Sequence, residues 1–373
     1  MAVRAATTDF PLADAERTLA AMDEARAATL ALVAPFPDDL LEAQLSPIMS
    51  PLVWDLAHIA AYEDLWLAHR HGGLPLLRDD LAAVYDAFET PRSVRGEVEL
   101  LDAPAAREYL AQVRARSLDA VEREGLGDGV LCELVLRHEL QHNETMRQTM
   151  ALAGLLDGGE PLAPLDGEDG WIELPGGRCL IGAGEEGFAY DNERPRHELD
   201  LGPFQIARHP VTNASWLSFS EGGGYERREW WSHEGWAWKE EYDIGHHAGV
   251  AAGELEAPVC HVSWFEADAF ARAHQARLPT EQEWERAATS EQLPAAIGSV
   301  WEWTASSFLP YPGFRAYPYR EYSEVFFGDR YRVLRGGSWA SSPRVATPTF
   351  RNWDLPERRQ IFAGLRLARD GGS

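Results

Sequence analysis

His138 and His142 stand four residues apart in Leu136-Arg-His-Glu-Leu-Gln-His-Asn-Glu144. On a helix that spacing sets the two side chains one above the other, ~5–6 Å apart at Cβ, so both imidazoles can reach one metal ion. The same residues spell His-Glu-x-x-His, the pattern of zinc peptidases, in which Glu139 would be the general base. The extended metalloprotease form needs Gly three residues after the second His and another His three residues later, but Thr145 and Gln148 occupy those positions. The peptidase class with a downstream Glu ligand is not excluded by this test. A third candidate ligand, His58, lies in Trp54-Asp-Leu-Ala-His-Ile-Ala-Ala-Tyr62 and shares a helical face with Trp54, Asp55 and Tyr62. A lone histidine beside tryptophan is more often packed than ligating, so the residues alone make it a candidate and no more. Three neutral imidazoles suit zinc and iron alike, and donor softness does not choose between them.

The elements that must position these histidines are helical. Apolar positions recur at helical spacing in Leu12–Val33, Pro51–Arg70, Ala105–Glu124 and Leu131–Leu155, which predicts four amphipathic helices and hence a bundle. A run dense in Gly, Pro and acid follows, Asp157-Gly-Gly-Glu-Pro-Leu-Ala-Pro-Leu-Asp-Gly-Glu-Asp-Gly170, and reads as a linker. The expected domains are therefore 1–156 and 171–373, joined by 157–170. Beyond Trp171 the pattern changes to short strands, aromatic residues and Gly/Pro turns. One helix is clear there, opening at Thr280-Glu-Gln-Glu283, where Thr280 and Glu283 can form a capping box. The 14 tryptophans fall mostly after residue 210, so the two halves are built differently.

Composition narrows the partners. Of 373 residues, 34 are basic and 60 acidic, a formal charge of -26, which argues against nucleic acid or an anionic membrane as a main partner. No apolar run approaches the ~20 residues of a membrane span, and Met1–Phe10 has no apolar signal core. Cys132, Cys179 and Cys260 are odd in number and widely spaced, which suits neither a disulfide framework nor a thiolate metal knuckle. A cytoplasmic monomer is the expectation.

Further motifs carry a resemblance. His58, His138, His142 and Glu144 fit the pattern of the DinB-type metal-binding bundle, a helix-borne His followed by His-x-x-x-His-x-Glu. Asn192-Glu-Arg-Pro-Arg-His197, Pro210-Val-Thr-Asn213, His261-Val-Ser-Trp264, Arg277-Leu-Pro-Thr-Glu281, Val300-Trp-Glu-Trp303 and Leu334-Arg-Gly-Gly-Ser-Trp339 resemble the formylglycine-generating-enzyme-like domain. The expected fold class is thus α+β: a DinB-like four-helix bundle followed by a C-type-lectin-like mixed domain. Formylglycine-generating enzymes use a cysteine pair after the Arg-Gly-Gly-Ser motif, and this chain has no cysteine after Cys260. Fused in this order, the halves resemble the sulfoxide synthases of ergothioneine biosynthesis, the hercynine oxygenases.

That resemblance implies an Fe(II) site held by His58, His138 and His142, with O2, hercynine and a thiol as partners and the active site between the two halves. Asp55, Glu144 or a backbone carbonyl are candidates to orient the histidines. Phe350-Arg-Asn-Trp-Asp-Leu-Pro-Glu-Arg358 resembles the form found in synthases that use γ-glutamylcysteine. It implies that Asp354 and Arg358, together with Arg92 and Arg95 of Thr90-Pro-Arg-Ser-Val-Arg95, hold the dipeptide. Cysteine or another thiol or selenol is the alternative donor. Asn352, Trp353 and Gln141 match betaine-binding positions, and a quaternary ammonium suits an aromatic face. A catalytic tyrosine is expected in Tyr311-Pro-Gly-Phe-Arg-Ala-Tyr-Pro-Tyr-Arg-Glu-Tyr322, with Tyr319 ahead of Tyr322. A zinc peptidase and a non-catalytic binding module remain the competing readings.

Overall fold

The computed structural model describes residues 15–156, 160–167, 169–247, 254–290 and 293–371. The predicted helix start at 12–14, the segment Met1–Phe10, and residues 157–159 and 168 of the predicted linker lie outside the described residues. The chain divides into two compact units, Asp9–Glu160 and Pro161–Ser373. No described helix is long and apolar enough to cross a membrane.

The first unit is helical: α1 (Ala15–Val33), α2 (Asp38–Glu42), α3 (Leu52–Glu63), α4 (Ala103–Glu124) and α5 (Val130–Leu152). Asp102 caps α4 by accepting the Ala105 amide at 2.8 Å, with a proline in the first turn. Residues 52–60 of α3 are all buried, as befits a helix that is apolar nearly all round and forms the centre of its bundle. Leu52, Leu56, Leu110, Val113, Met146 and Met150 pack into one core there.

A charged side chain from each long helix joins one buried ion cluster in this unit. Arg26 of α1 bonds Glu63 of α3 and Glu139 of α5, both at 2.8 Å, and Arg114 of α4 bonds the same two carboxylates at 2.7 and 3.2 Å. Glu63 and Glu139 are 0% and 1% exposed, so the charges are tolerable only because two cations meet two anions with near-ideal geometry. Burial raises the Glu63 pKa, but Arg114 and Arg26 more than offset it and keep the carboxyl ionised.

The predicted helix Pro51–Arg70 departs from expectation. It is α-helical only to Glu63 and continues as a π-helical segment, Asp64–His71. Buried Asp64 accepts the Leu77 amide at 2.6 Å and pairs with Arg116 at 3.4 Å, long-range contacts that local periodicity does not announce.

The second unit mixes short strands and helices. Its strands are β1 (Trp171–Leu174), β2 (Gly177–Ile181), β3 (His197–Leu201), β4 (Phe204–Ala207), β5 (Trp301–Phe308), β6 (Gly328–Arg335), β7 (Asn352–Asp354), β8 (Ala363–Leu365) and β9 (Ala368–Asp370). They form sheets ordered β1-β4-β9, β2-β3 and β7-β6-β5-β8, antiparallel except for the β5–β8 pair. The helices are α6 (Asn213–Glu221), α7 (His233–Glu241), α8 (Trp264–Ala273) and α9 (Glu281–Thr289). The Thr280–Glu283 capping box starts α9.

Three arginines of this unit, Arg335, Arg351 and Arg366, are fully buried. Arg351 makes two bonds to Glu281 (2.7 and 2.8 Å), and Arg366 makes two to Glu302 (2.8 and 2.9 Å). Arg335 bonds Glu285, one turn along α9 from Glu281. The motifs that are scattered in sequence therefore meet as partners: α9 clamps the end of β6 and the entry to β7. The architecture is α+β, a helical bundle followed by a mixed domain.

Candidate metal centre

α3 supplies one histidine and α5 two. His58 is 7% exposed and His138 and His142 are half-buried. The ring centroids are 4.9 Å (58–138), 4.6 Å (58–142) and 4.5 Å (138–142) apart, and one ring nitrogen of each lies within 4.8 Å of the others. The Nε2 atoms of His58 and His138 are 3.1 Å apart. Two nitrogens each ~2.1 Å from one metal and at right angles would be ~3 Å apart, so the pair is already at a ligand–ligand spacing.

The orientation of each ring is set by a neighbour. His58 Nδ1 donates to the Tyr85 carbonyl at 2.6 Å and His142 Nδ1 donates to Asp55 Oδ1 at 2.9 Å. A neutral imidazole with its proton on Nδ1 presents its Nε2 lone pair, which is the form a metal needs. The face of α3 does the rest. Trp54 stacks on His58 (4.5 Å, 17°) and Tyr62 stacks on His138 (3.7 Å, 10°). One helical face thus carries a ligand candidate (His58), a ring support on either side of it (Trp54 and Tyr62) and the carboxylate that orients His142 (Asp55). Burial holds the pKa of His58 and His138 well below the ordinary imidazole value, and the neighbouring His142 adds to it, so both are neutral at pH 7. The donor set fits a divalent transition metal with positions left open for substrate.

The zinc-peptidase alternative fails on Glu139. Its carboxylate is turned into the bundle interior and bonded by Arg26, Arg114 and Thr29 Oγ1, the last at 2.7 Å. The lone pairs of a carboxylate so bonded are already used, and it does not face the histidines' metal as a base must. The histidine-orienting bonds come from Asp55 and the Tyr85 carbonyl. Glu144 of α5 is buried, and its charge favours that of Arg147, whose pKa burial lowers.

The two candidate arginines of the 90–95 segment differ. Arg95 is 5% exposed, lies 3.4 Å over the Trp54 ring and donates to Ser50 Oγ at 2.7 Å and to the Thr90 carbonyl at 2.9 Å. Burial lowers its pKa to about 10, against the favourable pull of Asp55. Half-buried Arg92 makes no side-chain hydrogen bond or ion pair among the described residues, and its charge, like that of Arg95, is felt at His58. Gln141 is half-buried on α5 between the two histidines.

The remaining candidates gather in the second unit. Trp353 of β7 stacks on Phe308 (4.2 Å, 9°) and meets Tyr322 edge-on (5.9 Å). Tyr322 stacks on Tyr190 (4.3 Å, 5°), and Tyr319 meets Tyr322 edge-on at 6.2 Å. β7 is the edge of its sheet, with Asn352 and Asp354 on one face and Trp353 on the other. Asp354 and Arg358 form a loose pair, 3.5 Å apart, each side chain about a quarter exposed (24% and 23%). Sequence reasoning had not singled out Tyr85, Tyr190 or Phe308. The only signal was their aromatic type, which many core residues share.

Residues 21–146 match the DinB superfamily, and residues 163–295 and 292–371 match the sulfatase-modifying factor enzyme 1-like domain. Over 93% of its length the chain is 41% identical to Hercynine oxygenase of Mycolicibacterium smegmatis, covering 97% of that protein. The chain belongs to the hercynine oxygenases. Hercynine oxygenase of Mycobacterium tuberculosis is 40% identical over the same share of each chain. A shorter stretch, 20% of this chain, is 37% identical to Ergothioneine biosynthesis protein 1 of Neurospora crassa and covers 9% of that protein. As a hercynine oxygenase the chain is an enzyme acting on small molecules, and its three histidines form a group able to hold a metal ion.

Proposed function

We propose that the chain is an Fe(II)- and O2-dependent sulfoxide synthase of ergothioneine biosynthesis, forming a C–S bond between hercynine and γ-glutamylcysteine. The observation that carries this reading is the convergence of three imidazoles, each oriented by a neighbour, in a member of this family. His58, His138 and His142 would hold the iron, which when bound supplies O2 chemistry and a common site for both substrates.

The chain's own residues bind, orient and deliver protons. Arg92, a cation with no side-chain ion pair among the described residues and a charge felt at His58, suits a carboxylate of the dipeptide, and Arg95 behind Trp54 adds to the local positive field in a chain of charge -26. An α-amino acid head group carries an ammonium and a carboxylate, the complement of the loose Asp354–Arg358 pair. Hercynine's quaternary ammonium suits the face of Trp353, with Asn352 and Gln141 as polar contacts. Because β7 is a sheet edge, one ligand lying along it can touch both Asn352 and Trp353. Tyr319 or Tyr322 donates the proton during oxygen chemistry.

The test is anaerobic Fe(II) reconstitution, then O2 with hercynine and each thiol, read by mass spectrometry. A hercynine–thiol sulfoxide that needs both iron and O2 is expected, with the dipeptide preferred over cysteine. Equal product from the zinc-loaded protein would refute the iron assignment, and a preference for cysteine would refute the dipeptide. Tyr319→Phe or Tyr322→Phe should keep metal and both substrates while diverting oxygen to the thiol alone, giving a sulfinate. Unchanged product ratios in both variants would place the donor elsewhere.

A further inference from the structure

The segment that carries Tyr319 and Tyr322 is held at both ends by one buried carboxylate. The Tyr317 amide donates to Asp191 Oδ2 at 3.3 Å, and the Ser323 hydroxyl donates to Asp191 Oδ1. Asn192 Nδ2 donates to that same hydroxyl oxygen at 2.9 Å. Asp191, Asn192 and Ser323 are 6%, 1% and 0% exposed, so water does not compete for these bonds. Between the two anchor points, the ring of Tyr322 lies flat on Tyr190, the residue before Asp191.

The clamp is itself fixed. The Asn192 carbonyl accepts from Arg351 Nη1 at 2.8 Å, and Arg351 is locked by its paired bonds to Glu281. Glu193 accepts the Tyr190 amide at 2.8 Å and the Thr349 hydroxyl at 2.7 Å. Arg351 also directly precedes Asn352, Trp353 and Asp354. The tyrosine segment and the β7 edge are therefore referenced to one immobile side chain.

We propose that Asp191, with Asn192, is a positioning residue for the tyrosine donor: it fixes the backbone of 317–323 and so the place of the tyrosine hydroxyls relative to β7. This rests on the tyrosine role proposed above. A group that delivers a proton in competition with a side reaction must be held within hydrogen-bond reach, so looseness here shows as wasted oxygen rather than as weak binding.

Two readouts test it on the full-length, iron-reconstituted protein: hydrogen–deuterium exchange of the 317–323 amides, and hercynine–thiol product formed per O2 consumed. Asp191→Ala is expected to speed exchange at Tyr317 and to lower product per O2 roughly ten-fold, with iron content and both KM values kept within about two-fold. Asp191→Asn retains one acceptor oxygen and should fall between Asp191→Ala and wild type. If Asp191→Ala does not fold, Ser323→Ala, which removes the bridging hydroxyl, is judged by the same two readouts. Unchanged exchange, or faster exchange with coupling intact, overturns the proposal. Tyr319→Phe and Tyr322→Phe separate the two failures. If neither uncouples the reaction, the tyrosine role itself is wrong; if either does and the clamp variants do not, only the clamp is.

Discussion

The two units position their candidate chemistry by opposite means. In the helical unit, local geometry does most of the work: His138 and His142 meet because they are four residues apart, and Trp54, Asp55 and Tyr62 support the rings because α3 puts them on the face of His58. In the second unit nothing local suffices. Tyr322 is placed by Asp191 and Tyr190, more than 130 residues earlier in the chain, and β7 is placed by an arginine paired with Glu281 on α9. A helix-borne site should therefore fail through its own ligands with the fold kept, whereas a site hung on buried ion pairs should fail, together with the stability of its unit, when one pair breaks.

The largest effect expected on this comparison is at the histidines. His138→Ala or His142→Ala should abolish iron retention, and His58→Ala nearly so, measured as metal content after anaerobic reconstitution and dialysis with the fold intact by circular dichroism. Chelation should silence the wild-type enzyme and Fe(II) should restore it. Full iron occupancy in His58→Ala would remove that residue from the set.

Next comes the buried pair of the second unit. Arg351→Ala removes both short bonds to the buried Glu281 carboxylate, leaving it the longer contacts to Arg335 and the Tyr311 hydroxyl (3.5 Å each), and should cost about 3–5 kcal/mol of that unit's stability by chemical denaturation. Iron content should be untouched, because the histidines lie in the other unit. Loss of iron in a folded Arg351→Ala protein would mean that the two modes of positioning are not separable.

A smaller effect belongs to single substrate contacts. Asp354→Ala and Arg92→Ala should each lower kcat/KM for γ-glutamylcysteine by about 10- to 150-fold, the loss of one charge-assisted contact, with hercynine binding little changed. Equal effects on both substrates would show that neither residue selects the thiol. The smallest effect is expected at Asp55→Asn, which keeps the shape beside His142 but not the charge. Iron affinity should fall by about 10- to 100-fold, read by competition with a chelator, while the fold holds. A change below two-fold would leave ring stacking as the main device that orients the histidines.

Much of the first site was legible because its determinants are periodic. The i,i+4 histidines, the shared face of α3 and the capping box at Thr280 all follow from helical geometry, which neighbours in sequence impose on one another. The end of α3 was not legible: the π-helical segment begins at Asp64, whose carboxylate meets the Leu77 amide and Arg116, partners 13 and 52 residues away. Nor was the fate of Glu139, which a motif reads as a base and the bundle uses as a counter-ion to Arg26 and Arg114.

Sequence alone thus determined which residue types are present, their helical register and the family to which the motifs point. Tertiary structure decided which ring nitrogen His58 and His142 present, through the Tyr85 carbonyl and Asp55. It also decided which carboxylates are spent on buried cations and which aromatic rings, Tyr190 and Phe308 among them, stack against the candidate residues. The physical reason is the range of the forces. Backbone hydrogen bonding and side-chain spacing act over one or two helical turns, whereas burial and charge pairing act between segments that only the folded chain brings together.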